Sequence, residues 1–300
     1  MFQQEPIRQG SQTFTRLTQA ILKRDTMDFN IAPTSNYPLS DLVKFLNSGF
    51  EGYFIPIQIE MVDFLTMLRK DGIDLTASRV LITDDQPVGI ALIARRGWSS
   101  RLAAMGIAKK KRRVGAGSWF MEQLSKEACQ RGEREMWLEV IEQNEPAVKL
   151  YQKSGFQTVR RLIGLIRKDA EEKEMDSLQE IDLREMGRLI SEHGLTNLPW
   201  QLSGESISQM NPPARAYRKG LAYVALSNPD AERVVIWSLL VEKEARGKRL
   251  GTDILKSVIA HHRGKTWHVP AIFPEEFESV FTEAGFEREE LSQWQMRLIL

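Results

Sequence analysis

The sequence repeats itself once, and this repeat limits the chain to two similar halves. An offset of 134 residues aligns landmark residues of the first half with identical ones in the second, and an offset of 130 does so further along. One deletion of four residues reconciles the two offsets. A tandem duplication of one domain explains such self-similarity. The matched pairs are Arg112 with Arg246, Gly117 with Gly251, Trp137 with Trp267, and Gly155-Phe156 with Gly285-Phe286.

The length and the composition are also those of a globular protein with two domains. The chain has 300 residues, about twice the usual length of one domain, and 42% of them are apolar. Lysine and arginine number 41 against 40 aspartates and glutamates, and this balance argues against a protein that coats nucleic acid. We predict an N-terminal extension over residues 1–27, a first domain over 28–170 and a second domain over 171–300.

The sequence predicts neither a membrane protein nor a metal centre. The longest apolar runs, Val88–Ala94 and Val234–Val241, have the length of strands and fall far short of the roughly 18 residues of a membrane span. The single cysteine, Cys129, cannot form an internal disulfide or a cysteine zinc cluster, and the four histidines lack metal-ligand spacing. We therefore expect a cytoplasmic protein without a metal. The sequence leaves the oligomeric state open.

Hydrophobic periodicity and turn residues predict alternating strands and helices in both halves. A charged segment, Lys168 to Asp176, predicts the linker between them, and an apolar face that includes Phe14 and Ile21 predicts a helix in the extension. The predicted elements are strand 29–31, a helix capped by Ser40, helix 59–70, hairpin 79–83 and 88–95, strand 101–108, helix 115–130, strand 136–141, helix 145–153, strand 155–167, a helix around 183–190, strands 221–226 and 233–241, and helix 250–262.

The segment Arg112-Arg113-Val114-Gly115-Ala116-Gly117 forms a basic loop between a predicted strand and a predicted helix. Glycine lets the backbone approach a ligand closely, and free N–H groups at the start of a helix bind phosphate oxygens. The loop suits a phosphate-bearing ligand, although a solvated charged loop has the same composition. It is not a nucleotide P-loop, because no Gly-Lys-Ser/Thr triplet follows.

A second motif follows the loop. It comprises Trp137-Leu138-Glu139-Val140, Asn144, Ala147, Leu150-Tyr151 and Gly155-Phe156. Together the two motifs resemble the GNAT superfamily of acetyl-CoA-dependent N-acetyltransferases. The loop is similar to the family's Arg/Gln-x-x-Gly-x-Gly/Ala pyrophosphate loop, and the second motif is similar to its strand–Asn–helix–Tyr–Gly-Phe signature. The resemblance covers residues 28–168 and is weaker in the second half.

The resemblance implies an α/β (α+β) fold of two GNAT-like domains, each a mixed, mostly antiparallel sheet flanked by helices. The sheet is expected to splay at the strand 101–108. The pantetheine arm of acetyl-CoA would pair with main-chain groups inside the splay, and the loop would hold the pyrophosphate. The cofactor-binding residues so implied are Met105, Ile107, Arg112, Arg113, Val114, Gly115, Ala116, Gly117, Ser118 and Asn144.

Two residues are candidates for proton transfer. An amine attacks only when neutral, and the departing thiolate needs a proton, so a base and an acid are required. The resemblance implies that Tyr151 protonates the sulfur of CoA; a packed aromatic side chain is the alternative. Glu139 lies where a glutamate acts as base in family members that acetylate protein N-termini, or else it faces solvent. Asn144 orients a ligand or caps the next helix.

The second half lacks these groups. Val269, Pro274 and Phe281 stand where the first half has its glutamate, asparagine and tyrosine. Arg249 replaces the first glycine of the loop, which is expected to place a bulky side chain where the backbone should approach phosphate. We therefore expect a second half that is not catalytic and that contributes packing and a wall of the acceptor cleft.

These observations predict an N-acetyltransferase with one working and one degenerate GNAT domain, which moves an acetyl group from acetyl-CoA to a primary amine by direct attack. The acceptor is a small molecule, a protein N-terminus or a lysine, and the sequence does not distinguish them. Two alternatives stay open: a non-catalytic tandem module that senses acyl-CoA or binds a partner, and a tandem acetyltransferase for an amino-sugar thiol precursor. The aromatic candidates for the acceptor pocket are Phe50, Tyr53, Phe54 and Trp98.

Overall fold

A computed structural model describes residues 28–53, 55–168 and 178–300. The predicted helix of the extension, Phe54 and most of the predicted linker lie outside these ranges. Within them, no helix is both long enough and apolar enough to cross a membrane.

The first half follows the predicted order of elements. The hairpin turns at Asp84 and Asp85, both with positive φ, as in the tight turns that suit the twist of a hairpin. Ser40 is not a cap: the helix already starts after Pro38, so Ser40 lies in its first turn. The elements are β1 (Phe29–Pro33), α1 (Leu39–Gly49), α2 (Met61–Asp71), β2 (Arg79–Thr83), β3 (Gln86–Arg96), β4 (Ser99–Ile107), α3 (Ala116–Gln130), β5 (Glu135–Ile141), α4 (Glu145–Lys153) and β6 (Gln157–Arg167).

The second half repeats this order of strands and α-helices, although its second helix has only five residues. Its first helix carries leucine, methionine and isoleucine on one buried face, as the periodicity predicts. The elements are β7 (Gln179–Ile181), α5 (Leu183–His193), α6 (Gly204–Ser208), β8 (Arg215–Lys219), β9 (Ala222–Leu226), β10 (Arg233–Val241), α7 (Leu250–His261), β11 (Thr266–Pro274), α8 (Glu278–Thr282) and β12 (Glu287–Ile299).

The twelve strands form one continuous sheet, in the order β1-β2-β3-β4-β5-β12-β6-β11-β10-β9-β8-β7. Most neighbours are antiparallel, and β4–β5 and β10–β11 are the parallel pairs. The expected class, a mixed and mostly antiparallel sheet flanked by helices, is therefore confirmed.

The last strands of the two halves are exchanged. β12, from the end of the chain, pairs with β5 of the first half, and β6 pairs with β11 of the second half. β6 and β12 also pair with each other in the middle of the sheet. Each half therefore completes the sheet of the other.

Helices cover both faces of the first-half sheet. Successive residues of a strand point to opposite faces, so β3 serves two cores. Ile90 and Leu92 pack with α1 and α2, whereas Ala91 and Ile93 pack with α3 and α4. All four side chains are fully buried. β3, the neighbour of β4, is therefore packed on both faces beside the place where β4 and β5 separate.

Candidate functional site

The sheet opens between β4 and β5. These strands pair over only three residues each, Ser99–Arg101 with Glu135–Trp137, and then diverge, as the resemblance implied. Ala108 donates its N–H to Val88 on β3, so the alternation along a strand turns the main-chain groups of Met105 and Ile107 toward the gap. Met105 also lines the cavity in this gap, whereas the main-chain oxygen of Ile107 accepts from the side chain of Arg112.

The predicted loop lies at the end of this gap. Arg113 and Gly115 have φ of +66° and +89°, and this left-handed backbone leads into the first turn of α3. The first N–H groups of a helix have no partner within it, so those of Ala116, Gly117 and Ser118 are available to an anion. The positive end of the helix dipole adds to the attraction.

Arg112 braces the loop with its side chain. Its guanidinium donates to the main-chain oxygens of Ile107, Gly49 and Glu51 at 2.7, 3.0 and 2.8 Å. These bonds tie the end of β4 to the end of α1, where Gly49 and Gly106 touch so closely that neither place has room for a Cβ. The guanidinium thus supports the loop, and the main-chain N–H of Arg112 donates to Lys109, so neither group is free for a cofactor in this arrangement.

Tyr151, Glu139 and Asn144 line one cavity of about 240 Å³ in the gap. The exposed fraction of Tyr151 is 8%, and none of the described residues hydrogen-bonds its hydroxyl. Burial raises the pKa of this hydroxyl above its usual range, and the neighbouring Tyr53 adds to the shift. The hydroxyl therefore stays protonated at neutral pH and can donate.

Glu139 is not exposed to solvent but belongs to a buried ion pair. Its Oε2 accepts from the Nε of Arg101 at 2.7 Å, and Arg101 also lies 3.5 Å from Asp71. The side chains of Glu139 and Arg101 are 3% and 6% exposed. The other oxygen of Glu139, Oε1, has no partner among the described residues. One oxygen is thus held in place while the second can accept a proton or a hydrogen bond.

Asn144 caps α4. Its side chain accepts from the N–H of Ala147 at 3.4 Å, the capping role that the sequence left open. Its amide group still lines the cavity, so a role toward a ligand is compatible with the cap. Phe50 and Tyr53 line the cavity too, whereas Trp98 is 62% exposed and stacks with Arg134, so the expectation for Trp98 is wrong.

The second half supplies two residues to this cavity, Gln201 and Gln293. Gln201 is positioned by its neighbour Trp200, whose indole N–H donates to the main-chain oxygen of Asp71 at 2.7 Å. Arg96 stacks on the Trp200 ring at 4.2 Å and anchors the same segment through two serine hydroxyls. The second half therefore forms part of the wall of the first-half cavity.

Sequence reasoning missed Arg101, Asp71 and Gln201. An arginine within a predicted core strand is a weak indication of a site, because its buried charge requires a partner but the sequence does not show which residue that is. Gln201 carries none, since it is distant in sequence and reaches the cavity only through the packing of the two halves.

Three described side chains elsewhere have ligand atoms within 4.8 Å of one another, the spacing of a metal site. They are His193, Glu242 and Glu244. Glu242 is engaged by the hydroxyl of Tyr223 at 2.6 Å, and Glu244 is exposed. The cluster lies outside the cavity between β4 and β5 and takes no part in it.

Comparison with known protein families finds a match within the first half. Residues 48–156, which hold the gap, the loop and the three cavity residues, match the model of the acetyltransferase (GNAT) family. The first half contains a GNAT domain. Members of this family catalyse acyl transfer. Among the curated proteins, no match was found.

Solved structures share the fold over both GNAT-like halves. A GCN5-related N-acetyltransferase from Sphaerobacter thermophilus has a TM-score of 0.64 at 13% identity and covers 90% of this chain and 95% of its own. A tandem GNAT protein from the clavulanic acid biosynthesis pathway has a TM-score of 0.60 at 16% identity and covers 91% and 98%. At such identities the likeness concerns the fold, including its tandem arrangement.

Proposed function

We propose that the first half transfers an acetyl group from acetyl-CoA to a primary amine. The observation that carries the proposal is the single cavity in which Tyr151, Glu139 and Asn144 meet, at the gap between β4 and β5.

Cys129 as a lone free thiol suits a reducing compartment, and we place the protein in the cytoplasm.

The residues at the gap fit acetyl-CoA. Met105 offers its main-chain groups on the open edge of β4 and Ile107 offers its N–H, since its oxygen already accepts from Arg112; these groups suit the amides of the pantetheine arm. The free N–H groups from Val114 to Ser118 suit the pyrophosphate, and Arg113 beside them is exposed and adds positive charge. Acetyl-CoA supplies the acetyl thioester, and the chain supplies orientation and proton transfer.

Glu139 and Tyr151 serve the two proton transfers. Glu139 Oε1 accepts a proton from the attacking amine, directly or through a water, while its other oxygen is fixed by Arg101. As the carbon–nitrogen bond forms and the carbon–sulfur bond breaks, the Tyr151 hydroxyl gives its proton to the departing thiolate. Burial keeps Tyr151 protonated until then. No covalent intermediate on the protein is needed.

Release of free CoA thiol over a panel of primary amines tests the proposed activity. We expect release that depends on both acetyl-CoA and an amine, with the acetylated amine as the second product. Small amines, an N-terminal peptide and a lysine peptide separate the three acceptor classes. Hydrolysis of acetyl-CoA without an acetylated product, or no release with any acceptor, would contradict the proposal.

Glu139→Gln should lower turnover by about 10²-fold at neutral pH, the usual effect of a lost general base. The loss should shrink as the pH rises toward the pKa of the amine, because a neutral amine no longer needs a base. Asp71→Asn is the control, since it removes the other carboxylate beside Arg101 without altering the cavity lining. Equal losses in both variants would show that the ion pair, and not proton transfer, explains the effect.

A further inference from the structure

The second half contains a larger cavity at the equivalent place. β10 and β11 pair over Arg233–Val235 and Thr266–His268 and then separate, just as β4 and β5 do. The cavity beyond this point has a volume of about 480 Å³, twice that of the first half. The duplication has therefore preserved the opening although it has lost the acid and the base.

The entrance keeps the backbone of the first-half loop. Gly247 and Arg249 have φ of +76° and +61°, so the loop turns into α7 as its counterpart turns into α3. Arg246 donates to the oxygen of Val241 at 3.2 Å, the bond that Arg112 makes in the first half. The loop therefore presents the free N–H groups at the start of α7, which has twelve residues.

Arg249 does not obstruct this entrance, contrary to the expectation from sequence. Its side chain is 78% exposed and lies 3.8 Å from Glu283, at the rim of the cavity. The equivalent Gly115 has open space where a Cβ would stand, which explains why a side chain fits here. Arg249 and Lys248 bring two positive charges to the entrance, against the one negative charge of Glu283.

The wall is mostly apolar, and Ser238, Thr252 and Ser279 are its hydroxyl-bearing residues. Leucine and phenylalanine side chains dominate the wall, among them Leu198, Leu239 and Phe273. Ser238 lines the cavity, is 5% exposed, and has no hydrogen-bond partner among the described residues. Because this hydroxyl faces the cavity and is not engaged by any described residue, it is available to a polar atom of a ligand.

We propose that this second-half cleft binds an amphipathic anion, with an apolar chain longer than acetyl in the interior and a phosphate or carboxylate at the start of α7. The apolar wall and the volume favour the chain, and the N–H groups with Arg249 favour the anion. Ser238 meets a polar atom near the head of the chain. The ligand is held without reaction, because Val269 and Phe281 replace the base and the acid.

Calorimetric titration of the full chain with decyl phosphate, decanoate and methyl phosphate tests this proposal. We expect saturable binding of decyl phosphate or decanoate at one site, the tighter of the two identifying the head group, and at least 10-fold weaker binding of methyl phosphate. Equal affinity for methyl and decyl phosphate, or no saturable binding of either long-chain probe, would overturn it. The readout needs no catalytic activity, so it is independent of the proposed function.

Two variants locate the site. Arg249→Glu should weaken binding of the better probe at least 10-fold. Arg263 is exposed two residues beyond the other end of α7, and Arg263→Glu should change this affinity less than twofold. Ser238→Leu fills the cavity with an apolar side chain and should abolish binding without lowering the Tm. Equal effects of the two arginine variants, or full binding by folded Ser238→Leu, would contradict the assignment.

Discussion

Tyr151→Phe is expected to lower turnover by about 10²-fold while the Kd for acetyl-CoA stays within twofold. The change removes only the hydroxyl, and a positioned general acid contributes about 10²–10⁴-fold. The ring packs against Phe156 at 5.9 Å and keeps that contact in the variant. Steady-state release of CoA thiol and calorimetric binding of acetyl-CoA measure the two quantities separately.

Tyr53→Phe is the matched control, because Tyr53 lines the same cavity. We expect it to retain most of the activity. A Tyr151→Phe protein that turns over like the wild type, or that loses acetyl-CoA affinity in proportion to activity, would remove Tyr151 from the role of acid.

Ser118→Glu is expected to weaken acetyl-CoA binding by at least 10²-fold. Ser118 lies in the first turn of α3, where a carboxylate repels a pyrophosphate but stabilises the helix through its dipole. The fold should therefore survive, which circular dichroism and the Tm would show. Gly117 is less suited to this test, because a Cβ there would lie 3.1 Å from Leu150 of α4 and disturb the packing of the two helices.

Ser118→Gln separates charge from bulk, since it has the size of glutamate without its charge. We expect it to bind acetyl-CoA markedly better than Ser118→Glu does. If the folded Ser118→Glu protein keeps the affinity of the wild type, the pyrophosphate does not lie on this loop.

Local signals in the sequence were sufficient to predict most of the elements. The helix predicted over 145–153 has those bounds in the structure, because Asn144 caps it and Gly155, with φ of +92°, follows its end. Gly72 ends α2 in the same left-handed conformation. Such signals act within a few residues, so a single sequence contains them.

The exchange of β6 and β12 could not be predicted from local signals. Both strands follow a Gly-Phe pair and occupy equivalent places in the repeat. Local pattern therefore allows either strand to form the main-chain hydrogen bonds with β5. Only the packing of the two halves against each other decides between them. Duplicated domains with identical patterns leave this choice open.

The site residues likewise fall into those that local motifs predict and those that depend on tertiary packing. Tyr151, Glu139 and the loop follow from motifs, and the structure brings the two side chains into one cavity at the gap next to the loop. No motif predicts Arg101 as the partner of Glu139. Arg101 is distant in sequence and contacts Glu139 where β4 and β5 first pair. The cavity wall at Gln201 depends on the fit of two halves, a property that no motif encodes.

The central claim is that only the first half holds acetyl-CoA for transfer. Titration with acetyl-CoA, at protein concentrations well above the Kd, counts the sites directly. The account predicts one tight site per chain, lost in Ser118→Glu and retained in Arg249→Glu, because the apolar wall of the second-half cleft does not match the two amides of the pantetheine arm. Two tight sites per chain, or a single site that Arg249→Glu abolishes, would contradict it.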